Sequence, residues 1–230
     1  MMLSVCNPVA KRPYTNIIGN NTSNDNSVNN HTITNTGSVG FRAGVNGESN
    51  RAFDFTGAGN KYLSLVSSVL NNIAGYMNNQ GTIMFHIYHD ASSTTRGFIS
   101  GFSTDSQASI LIQSNSSPKS IGQYSYDGSS TPRHLSDNNW TFSNSVWYHY
   151  VATFDSLNLE TFKDGNSVYS FTFTGNAKVD STNVLLIGTR DDYKASGSLD
   201  GALCNIRAYG VKLSKGQIKM IYGQKGRIKS

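Results

Sequence analysis

Between Arg51 and Tyr209, short apolar runs alternate with turn signals, and where a face can be read the apolar positions recur every second residue. RAFDFTG sets Phe53 and Phe55 against Ala52 and Asp54, and NKYLSLV sets Leu63 and Leu65 against Tyr62 and Ser64. SVYSFTFTG puts Tyr169, Phe171 and Phe173 on one face and Ser170, Thr172 and Thr174 on the other, the period of a half-buried strand. GTIMFHIYHD is nearly continuous in apolar residues, as a strand covered on both faces should be. RGFISGF, ASILIQS, IGQYSYDG, SVWYHYVATFD, LETFKDGN, NVLLIGTR and SLDGALCNIRAYG follow at hairpin spacing, for about ten to thirteen strands in all. The upstream segment NIIGNNTSNDNSVNNHTITNTGSVG is rich in Asn, Ser and Thr. It reads as a loop feeding a first strand, HTITNTGSV, because these side chains satisfy turns through side-chain to backbone hydrogen bonds. The expectation is an all-β antiparallel two-sheet sandwich.

One helix signal stands near the end, in LSKGQIKMIYG. Ser214 and Gln217 are spaced for a capping box, and Leu213 and Ile218 for a hydrophobic staple. Gly223 is placed to stop the helix, and Gly216 in the first turn weakens it by up to about 1 kcal/mol. The fold class is therefore all-β with one short C-terminal helix.

Charge changes this picture only at the end of the chain. The net charge is +5, but seven of the nineteen basic residues lie from Arg207 onward with no acidic residue among them. The rest carries twelve basic against fourteen acidic groups, so the body is near neutral and the end is a cationic tail. A nucleic-acid protein would spread its basic residues over a face and interleave aromatics, so nucleic acid is not expected as a partner. Cys6 and Cys204 are too few for a disulfide scaffold and read as reduced thiols. MMLSVCNPVAKRPY has too short an apolar run for a signal peptide, and nowhere do the roughly 18 apolar residues of a membrane span occur. Synthesis in the cytoplasm without a signal peptide is expected. The domain reading is an N-terminal arm over 1–13, one sandwich over 14–223 and a basic tail over 224–230.

Six stretches in order carry a family resemblance: RAFDFTGAGNKYLSL, GTIMFHIY, VWYHYVATFD, ETFKDGNSV, VLLIGTR and LDGALCNIRAYGVKLSKGQIKMIY. Together they resemble the laminin-G-like jelly rolls of the concanavalin A-like lectin/glucanase superfamily, from about Asn16 to Tyr222. The resemblance implies a jelly-roll topology for the sandwich. It does not by itself imply one function, because a fold hosts many. Cys204 and Asn205 stand where the family often has Asp and Glu, so calcium binding there is not carried over.

Retaining glycoside hydrolysis needs two carboxyl groups about 5–5.5 Å apart. The superfamily's glucanases carry Glu-x-Asp-x-Glu along one strand, whereas this chain has two glutamates, Glu48 and Glu160, far apart. His149 with Asp155 or Asp164 has the residue types of a triad, yet no G-x-S-x-G elbow accompanies them. His149 is read as a structural histidine beside Trp147 and Val151, and Asp164-Gly165 as a hairpin turn. The five histidines show no metal spacing; calcium could draw only on the loops with Asp105, Asp127, Asp191 and Asp192. Glycan binding combines exposed aromatic faces with planar polar groups. The loop GQYSYDGSSTPRHLSDNNW offers Tyr124, Tyr126, Asp127, Arg133 and Trp140, with Asn138 and Asn139. GTRDDYKASG adds Arg190, Asp191, Asp192 and Tyr193.

These readings point to a non-enzymatic recognition or structural protein with no metal or cofactor. The first form is a surface decoration or adhesion subunit of a large particle such as a bacteriophage virion. There the arm and the basic tail would contact other protein subunits. The alternative is a soluble lectin-like module whose loops bind cell-surface glycan.

Overall fold

The computed structural model describes residues 15–17, 29–57, 60–90, 96–102, 108–114, 121–126, 132–137, 141, 143–156, 158–172, 184–190 and 197–224. Five short strands lead: β1 (Thr15–Ile17), β2 (Ile33–Thr36), β3 (Gly40–Arg42), β4 (Ala52–Asp54) and β5 (Tyr62–Leu65). Helix α1 (Ser67–Asn78) follows, then β6 (Gln80–His89), β7 (Arg96–Phe102), β8 (Ala108–Ser114), β9 (Ile121–Tyr126) and β10 (Pro132–Asp137). The chain continues through β11 (Trp147–Asp155), β12 (Asn158–Lys163), β13 (Asn166–Thr172), β14 (Leu185–Ile187), β15 (Gly201–Tyr209) and α2 (Lys215–Gly223). The larger sheet runs β13-β12-β11-β6-β15-β4-β3, with β1 also paired to β15; the smaller runs β10-β9-β8-β7-β14-β5-β2. The pairings are antiparallel throughout, and the two sheets close on one core as a jelly-roll sandwich.

The alternation sorts residues as the sequence requires. Phe53, Phe55, Leu63, Leu65, Phe85, Tyr150 and Phe154 are fully buried between the sheets. Phe85 on β6 stacks on Tyr150 of β11 at 4.9 Å and meets Phe98 of β7 edge-on at 6.1 Å, so one ring ties both sheets together. β6 is also covered on its other face, where Met84 enters a second apolar cluster outside the larger sheet. There Met84, Val151, Phe162 and Tyr209 pack against Leu213 and Ile218.

α2 forms as its start signals demand. The Ser214 hydroxyl accepts from the Gln217 backbone N–H, and the Gln217 side chain accepts from the Ser214 N–H. Leu213 and Ile218 are buried together, completing the staple. The helix runs through Gly223 and is capped at Gln224, so that glycine is its last residue instead of its stop.

The number of strands and the number of helices depart from the sequence reading. The described residues hold fifteen strands, because β1, paired to β15, lies in the segment read as a loop, β3, paired to β4, lies beyond the run read as the first strand, and β10 lies in the loop read as a ligand site. A second helix, α1, is present. Asn71, Asn72 and Gly75 are poor helix formers, and no side chain caps its start. It exists because Val69, Leu70, Ile73, Ala74 and Met77 bury one helical face, an override of propensity by packing. Leu70 fills the space a Cβ at Gly101 of β7 would need, 2.3 Å away. Among the described residues no helix is long and apolar enough to cross a membrane.

Candidate functional site

The outer face of the larger sheet carries the residues the sequence made conspicuous. Antiparallel register sets Trp147 opposite Tyr88, His149 opposite His86 and Val151 opposite Met84. At the α2 end this face is covered and apolar. In the middle the His149 and His86 rings lie tilted with centroids 4.7 Å apart, 1% and 6% exposed, and Tyr222 of α2 stacks on His149 at 5.9 Å. At the far end Trp147 and Tyr88 lie half-buried with ring centroids 5.3 Å apart.

Among the described residues, Asp155 and Asp164 do not join the His149 ring in a catalytic arrangement. The Asp164 carboxylate accepts from the His149 backbone N–H at 2.9 Å, not from its ring. Asp164 and Gly165 have φ of 50° and 78°, the left-handed pair of a two-residue hairpin turn, which joins β12 to β13. Asp155 is paired with Lys212 at 3.1 Å. These groups fix a turn and a strand end.

The far end has different chemistry. Arg42 of β3 lies 4.9 Å over the Tyr88 ring, a cation–π arrangement. Its Nη1 donates to Asp90 Oδ2 at 3.0 Å, and its Nε lies 3.6 Å from Asp54 Oδ2. Asp54 also accepts from the Thr56 N–H and hydroxyl, which fixes that carboxylate. Ala52, Ala202, Cys204 and Val45 form the apolar base under the two rings. Neither the Trp147 indole N–H nor the Tyr88 hydroxyl has a hydrogen-bond partner among the described residues. The result is a partly exposed aromatic step, with two unused polar tips, beside a fixed guanidinium and two carboxylates. Such a surface can stack on an apolar ring face and hydrogen-bond its hydroxyls.

Sequence reasoning placed Trp147 in the sandwich strand and missed Arg42, Tyr88, Asp54 and Asp90 as its neighbours. Tyr88 sits in an apolar run whose two faces the sequence cannot tell apart, and Arg42 and Asp54 arrive from strands paired across long separations. The signal that could have found the step is the Trp147–Tyr88 register of β11 on β6.

The loop residues named from sequence fall elsewhere. Tyr124, Tyr126 and Arg133 lie on the β9–β10 pair at the edge of the smaller sheet, with Tyr126 opposite Pro132 and Arg133 opposite Ser125. Arg190, half-buried, follows β14 and adjoins Gly97 of β7. Ladder register aligns that end of β7 with Ser114 and Ile121. Arg190 and Tyr126 therefore sit at opposite ends of the smaller sheet and are not brought together. Asp127, Trp140, Asp191, Asp192 and Tyr193, like Asp105 and Cys6, lie outside the described residues. Among the described residues no group of three or more His, Cys, Asp or Glu is placed to hold a metal ion.

A family model described as the concanavalin A-like lectin/glucanases superfamily matches residues 56–219. The chain belongs to the concanavalin A-like lectin/glucanase superfamily. No curated protein matches the sequence. Among solved structures, it is similar to the binding domain of botulinum neurotoxin serotype D. That match has a TM-score of 0.73 at 15% identity and covers 94% of this chain and 53% of that one. It is also similar to the botulinum neurotoxin DC binding domain solved with rat synaptotagmin II, with a TM-score of 0.72, 10% identity, and 94% and 52% covered. A third is the serotype D ligand-binding domain solved with N-acetylneuraminic acid, with a TM-score of 0.69, 13% identity, and 94% and 52% covered. At such identities the likeness is one of fold, and the chain spans about half the length of each toxin domain.

In this superfamily member the two departures from the family pattern sit on a bulge in β15, where the register against β6 shifts between Cys204 and Arg207. Asn205 has φ 52°, a left-handed conformation that asparagine tolerates. Its amide lies 3.4 Å from His86 Nδ1. Cys204 is buried beneath the aromatic step, and burial pushes its thiol up to about 12. The reactive form is the thiolate. In a Cys6→Ser variant at pH 8, Ellman's reagent is therefore expected to leave Cys204 untouched until denaturant is added. Rapid reaction of the native protein would contradict this burial.

Proposed function

We propose that this protein is a non-enzymatic, lectin-like recognition module that binds sugar on the outer face of its larger sheet. One observation carries the reading: the half-exposed Trp147–Tyr88 pair with unused N–H and O–H groups, flanked by Arg42, Asp54 and Asp90. Support also comes from the similar toxin domains, one solved with N-acetylneuraminic acid and another with a protein receptor. The β9–β10 hairpin with Tyr124, Tyr126 and Arg133, and Arg190 with Asp191, Asp192 and Tyr193, are proposed as further contact regions.

The test is a glycan array followed by calorimetry on the best binder. Removing a buried aromatic anchor typically costs about 2 kcal/mol or more. Trp147→Ala is thus expected to weaken binding by at least about tenfold, with the circular dichroism spectrum unchanged. An array that stays blank at high protein concentration would sink the proposal, as would full affinity in the variant.

A second reading, a decoration or adhesion subunit on a particle such as a bacteriophage virion, is favoured by the edge strand β13. That strand ends the larger sheet, and NSVYSFT carries no charge to discourage pairing with another chain. Sedimentation decides it: a chain that stays monomeric and joins no particle ends this reading.

A further inference from the structure

The larger sheet carries a second recess, at the end of β11 away from Trp147. Eight residues of strand separate the two places, roughly 25 Å. This open pocket of about 370 Å³ is lined by Asn158, Leu159, Glu160, Ser170, Phe171, Thr172 and Lys212, a volume within the range of small-molecule sites.

Its floor follows from register. β12 and β13 pair Glu160 with Ser170 and Asn158 with Thr172, so four polar side chains form a two-by-two patch on the outer face. Lys212, from the connection between β15 and α2, supplies the wall and pairs with Asp155 at 3.1 Å. The Thr172 hydroxyl donates to Asn158 Oδ1 at 2.9 Å, and Asn158 Nδ2 donates to the Asp155 carbonyl at 3.3 Å. Glu160 Oε1 takes both Lys215, at 2.8 Å, and the Ser167 hydroxyl. Partial burial pushes this carboxyl up, but the hydrogen bonds from Lys215 and Ser167 and the charges of Lys215 and Lys212 outweigh it. Glu160 is therefore held below the ordinary carboxylate value.

The remaining valences define the ligand. Glu160 Oε2 and the Ser170 hydroxyl take part in no hydrogen bond among the described residues, and Lys212 Nζ makes only its bond to Asp155. The patch thus offers an acceptor, a hydroxyl and an ammonium donor within one recess. An anion would face the Glu160 carboxylate, and a cation would face two lysines. A molecule with adjacent hydroxyl groups can donate to Glu160 and accept from Lys212 without either repulsion. We propose that the β12–β13 recess is a second binding site, separate from the Trp147 step, for a neutral polyhydroxylated ligand the size of one sugar unit.

The experiment is saturation-transfer NMR on the full chain with glucose, galactose, mannose and glycerol, and with acetate and methylammonium as charged probes. At least one neutral polyol should give signal and the charged probes none. In a Trp147→Ala background, where the other sugar surface is removed, the signal should persist, and adding Glu160→Gln/Ser170→Ala should reduce it at least about tenfold. If the double variant misfolds by circular dichroism, Ser170→Ala alone carries the comparison with a smaller but measurable loss. The proposal is overturned by silence from every polyol, by preference for a charged probe, or by loss of signal only in Trp147→Ala. Failure of the Trp147 step in the array leaves this result unaffected, because the two variants report on separate ends of the sheet.

Discussion

Phe85→Ala is expected to lower the free energy of unfolding by about 3–5 kcal/mol, the range for deleting a fully buried phenylalanine. Phe85 has no exposed surface and sits at the middle of β6, stacked on Tyr150 and edge-on to Phe98. The change removes apolar burial and opens a void at the junction of the two sheets, where rigid strands on both sides limit collapse. A domain is stable by only about 5–15 kcal/mol, so the midpoint of urea unfolding should fall steeply. Phe85→Leu, which refills most of the volume, should cost much less. An unchanged midpoint for Phe85→Ala would mean that this ring is not where the sheets are joined.

The second large effect is expected at Gly188→Ala. Gly188 has φ +85°, and a Cβ there would lie 2.2 Å from the ring of fully buried Phe55. Its N–H donates to the Phe98 carbonyl at 2.9 Å, and its carbonyl accepts from the Leu199 N–H at 2.7 Å, so the backbone cannot shift without breaking either link. Left-handed strain costs about 1–3 kcal/mol, and overpacking a core typically adds about 1–3 kcal/mol. Gly47 separates the two contributions, since it has φ +81° but nothing within 4 Å of the place a Cβ would occupy. Gly47→Ala should show the strain alone. Equal midpoints for the two variants would refute the clash with Phe55.

Both expectations rest on features the sequence announces unevenly. Phe85 lies in GTIMFHIYHD, whose continuous apolar character already marks a central strand. Gly188 lies in VLLIGTR, where nothing local says that a phenylalanine ring from a distant part of the chain fills the space beside it. The same division holds for the site. Trp147 and the Asp164-Gly165 turn are legible in SVWYHYVATFDSLNLETFKDGN, since hairpin chemistry is local. The company Trp147 keeps is not: Arg42, Asp54, Tyr88 and Asp90 come from three other stretches of chain, and only sheet order makes them neighbours. α1 was hidden for a related reason. Its asparagines and Gly75 oppose a helix, and the buried face that overcomes them is visible only once the sheets exist to cover it.

By itself the sequence determined the strand alternation, the antiparallel sandwich, the capping box of α2 and the membership of one superfamily. All of these depend on short-range periodicity or on motifs read in order. The tertiary structure decided which residues share a surface. It placed the buried His86–His149 pair under Tyr222, the aromatic step beside Arg42 and the polar recess along β12 and β13. Those juxtapositions depend on pairing between strands remote in the chain, where register and sheet order, not local preference, set the neighbours.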